Sequence, residues 1–192
     1  MYHISKDKRA RRSAWLIWEG LERCLETTEL KNIRITDINE ASYVSRATFY
    51  RLFDSVEDVL VYRCDQIFDE VGEGLARRRF ASNREVFLFF ARTWTEQKTL
   101  LKALVDNNLI GIIYDAHQRR GDLVRWLYVG GEDLSERDYD YLVAILTSIM
   151  PAVMSAWCAR GQSDNPEEIY EAVAHAVGLV AEGLKGEAAG RA

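Results

Sequence analysis

The side chains best suited to surface chemistry lie in one run, Ser45 to Phe53, SRATFYRLF. It carries guanidinium groups at Arg46 and Arg51, hydroxyls at Ser45, Thr48 and Tyr50, and no carboxylate. Phe49 and Phe53 stand at i and i+4, so a helix here turns both rings to one side. The other side then shows Arg46, Ala47, Thr48, Tyr50 and Arg51. That set suits a DNA major groove. Arginine grips guanine or a phosphate, the Thr and Tyr hydroxyls hold phosphates, and the alanine methyl meets a thymine methyl. The plainer reading of the same residues is a capped helical hairpin inside an ordinary all-α domain.

Other chemistry finds little support. His3, His117 and His175 have no partner spacing. Glu171 and His175 are four apart, which is neither HExxH nor the repeated ExxH of a di-iron bundle; an exposed ion pair is the simpler reading. The chain has no Gly-rich phosphate loop and no nucleophile elbow. No enzyme, cofactor or metal site is expected. Cys24, Cys64 and Cys158 are widely spaced and without ligand spacing, which suits three reduced thiols in a cytoplasm.

The elements that position the Ser45–Phe53 run are legible from their caps. Thr36 reads as the N-cap of a short helix with Ile38 and Ala41 on one face. Tyr43 and Val44 form a turn, and Ser45 caps the next helix. Asp54 and Ser55 break it. Ser55 with Asp58 resembles a capping box, with Asp where Glu or Gln is usual. Two short helices so closely joined make a helix-turn-helix.

From about Arg9 to Asp65 the chain resembles the N-terminal domain of the TetR family of bacterial transcription regulators. The resemblance rests on an amphipathic first helix, then ITDINEASYVSRATFYRLF, then a capped helix opening SVEDVL. It implies an all-α protein of about nine helices. It also implies a homodimer that binds double-stranded DNA, is released by a small effector and acts as a repressor. Two positions depart from the family pattern. The turn residue usually held by Gly is Tyr43, and a positive φ there costs about 1 kcal/mol. Val56 stands where a phosphate-binding Lys is common.

Charge agrees with a DNA-binding end. The net charge is −5, yet residues 1–53 carry ten Lys/Arg against seven Asp/Glu, while residues 54–192 carry fifteen against twenty-three. A basic head on an acidic body is the asymmetry expected of a protein that docks one end on phosphate. Lys6, Arg9 and Arg11 lie in a basic N-terminal segment, read as a phosphate-binding arm rather than a solvated tail. Thr36 is a further phosphate contact. The 192 residues, 48% of them hydrophobic, suffice for a real core. No long uncharged apolar stretch and no signal peptide are expected, hence no membrane partner.

The first helix starts at Ser13 or a turn or two earlier, with Trp15, Leu16, Trp18, Leu21 and Leu25 as its apolar face. Residues 1–55 are expected to form the DNA-binding domain and residues 56–192 an effector-binding and dimerisation domain, joined by a helix over 56–79. Gly72 and Gly74 should loosen the later half of that helix. Ser82 caps a helix running to about Gln97; others cover Leu100 to Val105 and Leu109 to Tyr128, the latter one helix or two broken at Gly121. VGGEDLS (129–135) is a loop. Helices follow over 136–159 and, after Pro166, over 167–184, ahead of a frayed GEAAGRA tail. Phe87, Phe90, Trp94, Leu104, Tyr114, Trp126, Met150, Met154 and Trp157 are candidate walls of a small apolar effector pocket, each equally readable as core. Tyr139, Leu142, Leu146, Val153, Ile169, Val173, Val177 and Val180 are candidates for a dimer interface. There the last two helices would form a four-helix bundle with a second copy.

Overall fold

A computed structural model describes residues 1–5, 7–120 and 134–189, and everything below refers to these. The described residues form nine α-helices: α1 (Lys8–Leu25), α2 (Ile35–Ser42), α3 (Arg46–Leu52), α4 (Val56–Arg77), α5 (Asn83–Thr95), α6 (Lys98–Asp106), α7 (Gly111–Gln118), α8 (Glu136–Ala159) and α9 (Pro166–Ala189). A 3₁₀ turn, Leu30–Asn32, precedes α2. The protein is all-α. Among the described residues the one extended pairing is an isolated bridge between Tyr2 and Phe53.

Most helix starts follow local capping chemistry. The Ser45 hydroxyl accepts the Thr48 N–H at 3.3 Å. Ser55 and Asp58 close a reciprocal box, the hydroxyl accepting the Asp58 N–H and the carboxylate accepting the Ser55 N–H. Ser82 and Glu85 start α5 in a similar way, and Ser135 starts α8 by accepting the Asp138 N–H. At α9, Asn165 and Glu168 exchange backbone-to-side-chain bonds around Pro166 at the first helical position.

The start of α2 differs from the expectation. The helix begins at Ile35, with Arg34 in the cap position, and the Asp37 carboxylate accepts the Arg34 N–H at 2.8 Å. Thr36 lies inside the first turn, not at the cap. An acid at the third position reaching back to the cap N–H does what the Thr hydroxyl was expected to do.

The core is one continuous cluster running from Ala14 to Ile169. α1 packs on α2, α3, α4 and α6; α4 packs on α5 and α7; α8 packs on α6 and α7; α9 packs on α5 and α8. The face that α1 buries is Ala14, Ile17, Trp18 and Leu21. Trp15, expected on that face, is 39% exposed because its ring covers the buried guanidinium of Arg63, 5.1 Å away.

Gly74 has a packing role in α4. A Cβ there would lie 2.4 Å from the Phe89 ring, so the glycine is where α5 approaches α4. The helix continues to Arg77.

α7 ends at Gln118, just ahead of Gly121, and residues 121–128 of the expected helix lie outside the described residues. Trp126 and most of the expected 129–135 loop lie outside the described residues. α8 is long and apolar enough to cross a membrane by length and composition. This corrects the expectation that no such stretch exists, which overlooked the uncharged run from Tyr141 to Ala159. Here α8 packs against three other helices of the chain. α9 runs through much of the expected frayed tail, as far as Ala189.

Candidate nucleic-acid interface

α3 is held from behind by Phe49, Leu52 and Phe53, each at most 2% exposed. Phe49 and Phe53 sit 5.8 Å apart between ring centroids, and Phe53 meets Tyr62 of α4 edge-on at 5.7 Å. With that side buried, Arg46, Ala47, Tyr50 and Arg51 face solvent and Thr48 is half-buried. Arg46 turns toward Tyr50 rather than toward an acid. Its guanidinium donates to the Tyr50 hydroxyl at 3.3 Å and lies 5.5 Å from the ring centroid. Ser45 caps the helix and donates to the Thr48 hydroxyl at 3.0 Å. A convex helix face of two cations, three hydroxyls and one methyl is a donor-rich surface with the chemistry to meet phosphates and base edges.

The remaining sequence-derived candidates distribute as follows. Thr36 is exposed on the first turn of α2. Arg9 and Arg11 are exposed on the first turns of α1, not on a free arm. Lys6 lies outside the described residues. The segment before α1 folds back instead of extending. The Tyr2–Phe53 bridge and a 2.8 Å bond from the His3 N–H to the Leu52 carbonyl lay it along the C-terminal end of α3. Val56 is half-buried; the first turn of α4 exposes Glu57 and no Lys or Arg, while Asp58 is buried in the cap.

Two buried charges on α4 link this region to the later helices, and the sequence patterns did not single them out as a junction. Arg63 is 5% exposed. It donates to Glu70 at 2.8 Å and to Gln97, beyond α5, at 3.0 Å, with the rings of Trp15 and Trp18 alongside. Asp65 is 4% exposed. One of its oxygens accepts the Tyr2 hydroxyl at 2.7 Å; the other accepts Arg119 at 2.9 Å and Arg120 at 2.8 Å. Burial alone would push the Asp65 carboxyl up. The bonds from Tyr2, Arg119 and Arg120 outweigh it and hold the group below the ordinary carboxylate value. Tyr2 shifts upward, through burial and then through its bond to that anion.

Of the candidate effector walls, Phe90, Trp94, Leu104, Met150, Met154 and Trp157 are packed into the core, and Trp157 also lines an open groove of about 590 Å³ between α8 and α9. Phe87 meets Tyr170 edge-on at 5.5 Å. The Tyr114 hydroxyl accepts Gln118 at 2.9 Å. His117 was not among the candidates, yet its ring stacks on Phe68 at 4.9 Å in the same core, and its Nδ1 has no partner. Burial lowers its pKa to about 4.

Of the candidate interface residues, Ile169 turns into the chain's own core and Val173 packs against it. Tyr139, Leu142, Leu146 and Val153 are half-buried, while Val177 and Val180 are exposed. Tyr141, Ile145, Leu179 and Leu184 add to the exposed apolar strip, each at least 56% exposed.

Solved structures with this arrangement exist. Lin0861 from Listeria innocua superposes with a TM-score of 0.75 at 16% identity, over 93% of this chain and 96% of that one. A TetR transcriptional regulator from Streptococcus agalactiae matches at a TM-score of 0.55 and 18% identity, over 86% of this chain and 93% of its own. The fold is TetR-like. The dihydroxyacetone kinase operon activator DhaS matches at 0.60 and 15%, over 90% and 96%. No family model and no curated protein matches the sequence. In the TetR-like frame α2 and α3 form the helix-turn-helix, and α4 leads from it to the remaining helices.

Proposed function

We propose that the chain is a DNA-binding transcription regulator that reads a palindromic operator as a homodimer. The observation that carries this is the outward face of α3: Arg46, Thr48, Tyr50 and Arg51, with no carboxylate in the helix, fixed by Phe49 and Phe53 behind it. Arg46, Ala47, Thr48, Tyr50 and Arg51 contact the groove and its phosphates. Ser45 caps the helix. Thr36, Lys6, Arg9 and Arg11 add phosphate contacts. Residues 1–55 serve as the DNA-binding domain and residues 56–192 as the effector and dimer domain, α4 joining them. Two copies joined through α8 and α9 would set two α3 helices at half-site spacing. A small apolar effector taken up among α4 to α8 would release the DNA. The protein acts as a repressor in the cytoplasm and catalyses no reaction.

DhaS, of similar fold, is named an activator, so the sign of regulation is read from a reporter fused to the neighbouring promoter. Higher output on deletion of the gene marks repression. The rival reading, a helical ligand-binding or scaffold protein with little DNA affinity, draws on Tyr43 and Val56. A duplex pool selected on the full-length chain separates the two: enrichment of a palindrome supports the regulator. Arg46→Ala should then weaken binding by about 1–3 kcal/mol if it reads a base, and affinity should fall steeply with salt as phosphate neutralisation releases counterions. Wild-type affinity for that variant would remove Arg46 from the site.

A further inference from the structure

Tyr43 is the most anomalous residue near α3. It follows the last residue of α2 at φ 56°, ψ 22°, in the left-handed region that favours glycine. It is also 95% exposed. Among the described residues the exposed ring makes no contact that offsets the backbone strain. Residues held in sparsely populated backbone conformations persist only where their surroundings enforce them, and they cluster at functional sites.

The enforcement is visible. α1 and α2 touch at Gly20, where a Cβ would lie 2.7 Å from Ser42 Cβ and 3.0 Å from the Ile38 carbonyl. The Ser42 hydroxyl accepts the Val44 N–H at 3.2 Å. Arg23 reaches from α1 to the Ala41 carbonyl. The turn is therefore clamped on both sides of Tyr43, and the ring is presented to solvent by construction. Its position selects the partner. Tyr43 stands two residues before the Ser45 cap, at the end of α3 that carries Arg46, and no carboxylate occurs from Ala41 to Phe53.

We propose that Tyr43 is a DNA-backbone contact: its phenol hydroxyl donates to a phosphate oxygen beside the groove that α3 enters, and its ring lies against the adjoining sugar. The residue that departs from the usual glycine is then a gain of one contact, not a sign of lost binding. This rests on the DNA-binding reading above. A neutral phosphate contact carries no sequence information and releases no counterion of its own, which distinguishes it from an arginine.

The test uses the full-length chain and a duplex selected on wild-type protein, with a scrambled duplex beside it, followed by fluorescence anisotropy across a salt series. Tyr43→Phe removes the hydroxyl; Tyr43→Gly removes the side chain and relieves the backbone. Tyr43→Phe should bind about three- to tenfold more weakly and Tyr43→Gly at least as weakly, each by the same factor on both duplexes and with an unchanged salt slope, while Tyr43→Gly melts no lower than wild type. Affinity within twofold of wild type for both variants overturns the proposal while leaving the DNA-binding reading intact. A loss confined to the selected duplex also overturns it, since that would be base reading. Wild-type protein that selects no duplex overturns the parent reading as well.

Discussion

Acidification from pH 8 to pH 5 should cost the fold about 2 kcal/mol through His117 alone, from a pKa near 6.5 in the unfolded chain and about 4 in the native one. The cause is burial first: the ring is 2% exposed and lies between Phe68 and Phe90. A bond with the Thr147 backbone pulls the other way, and the nearby Arg120 charge, a smaller effect, lowers the pKa further. The sign follows. Between about pH 6.5 and 4 the unfolded chain binds a proton that the native state refuses. Stability is therefore highest above the unfolded pKa, falls as pH drops through that window, and levels off below about 4. The Asp65 carboxyl, held low, contributes stability that is lost only on stronger acidification. Glu22, raised by burial, works in the opposite direction, so the comparison must be differential. Urea unfolding of wild type and His117→Phe, at pH 8 and pH 5 and one protein concentration, supplies it. Wild type should lose about 2 kcal/mol more than the variant over that range. Parallel losses would show that His117 is not buried neutral and would refute the packing of α4, α5 and α7 around it.

Two further changes test the frame of the interface. Gly20→Ala places a methyl against Ser42 and the Ile38 carbonyl, so α1 and α2 must part. Thermal unfolding should show a loss of about 1–3 kcal/mol, and a melting temperature that rises, as helix propensity alone would dictate, would deny the close contact. Val180→Glu sits on the exposed apolar strip of α9. Sedimentation of the wild-type chain should give a dimer and the variant a monomer with unchanged helicity, whereas a dimeric variant would move the interface elsewhere.

What the sequence determined by itself was local. The Ser45 cap, the Ser55–Asp58 box and the starts of α5, α8 and α9 depend on residues at most four apart, so their chemistry is complete within one turn of helix. The inward pair Phe49 and Phe53, and the carboxylate-free face opposite, follow from the same periodicity. Tyr43 was visible as a misfit at a glycine position. That it is both strained and fully presented needed φ and exposure.

Tertiary structure alone decided which charges go inside. Asp65 is stabilised by Tyr2, Arg119 and Arg120, which lie more than fifty residues away in either direction, and nothing near Asp65 in the chain announces them. Trp15 lost its place on the buried face of α1 to Ala14 because it must cover Arg63, a residue of another helix. Helical spacing gives the width of an apolar stripe, and only the neighbouring helices fix how that stripe is rotated and what meets it.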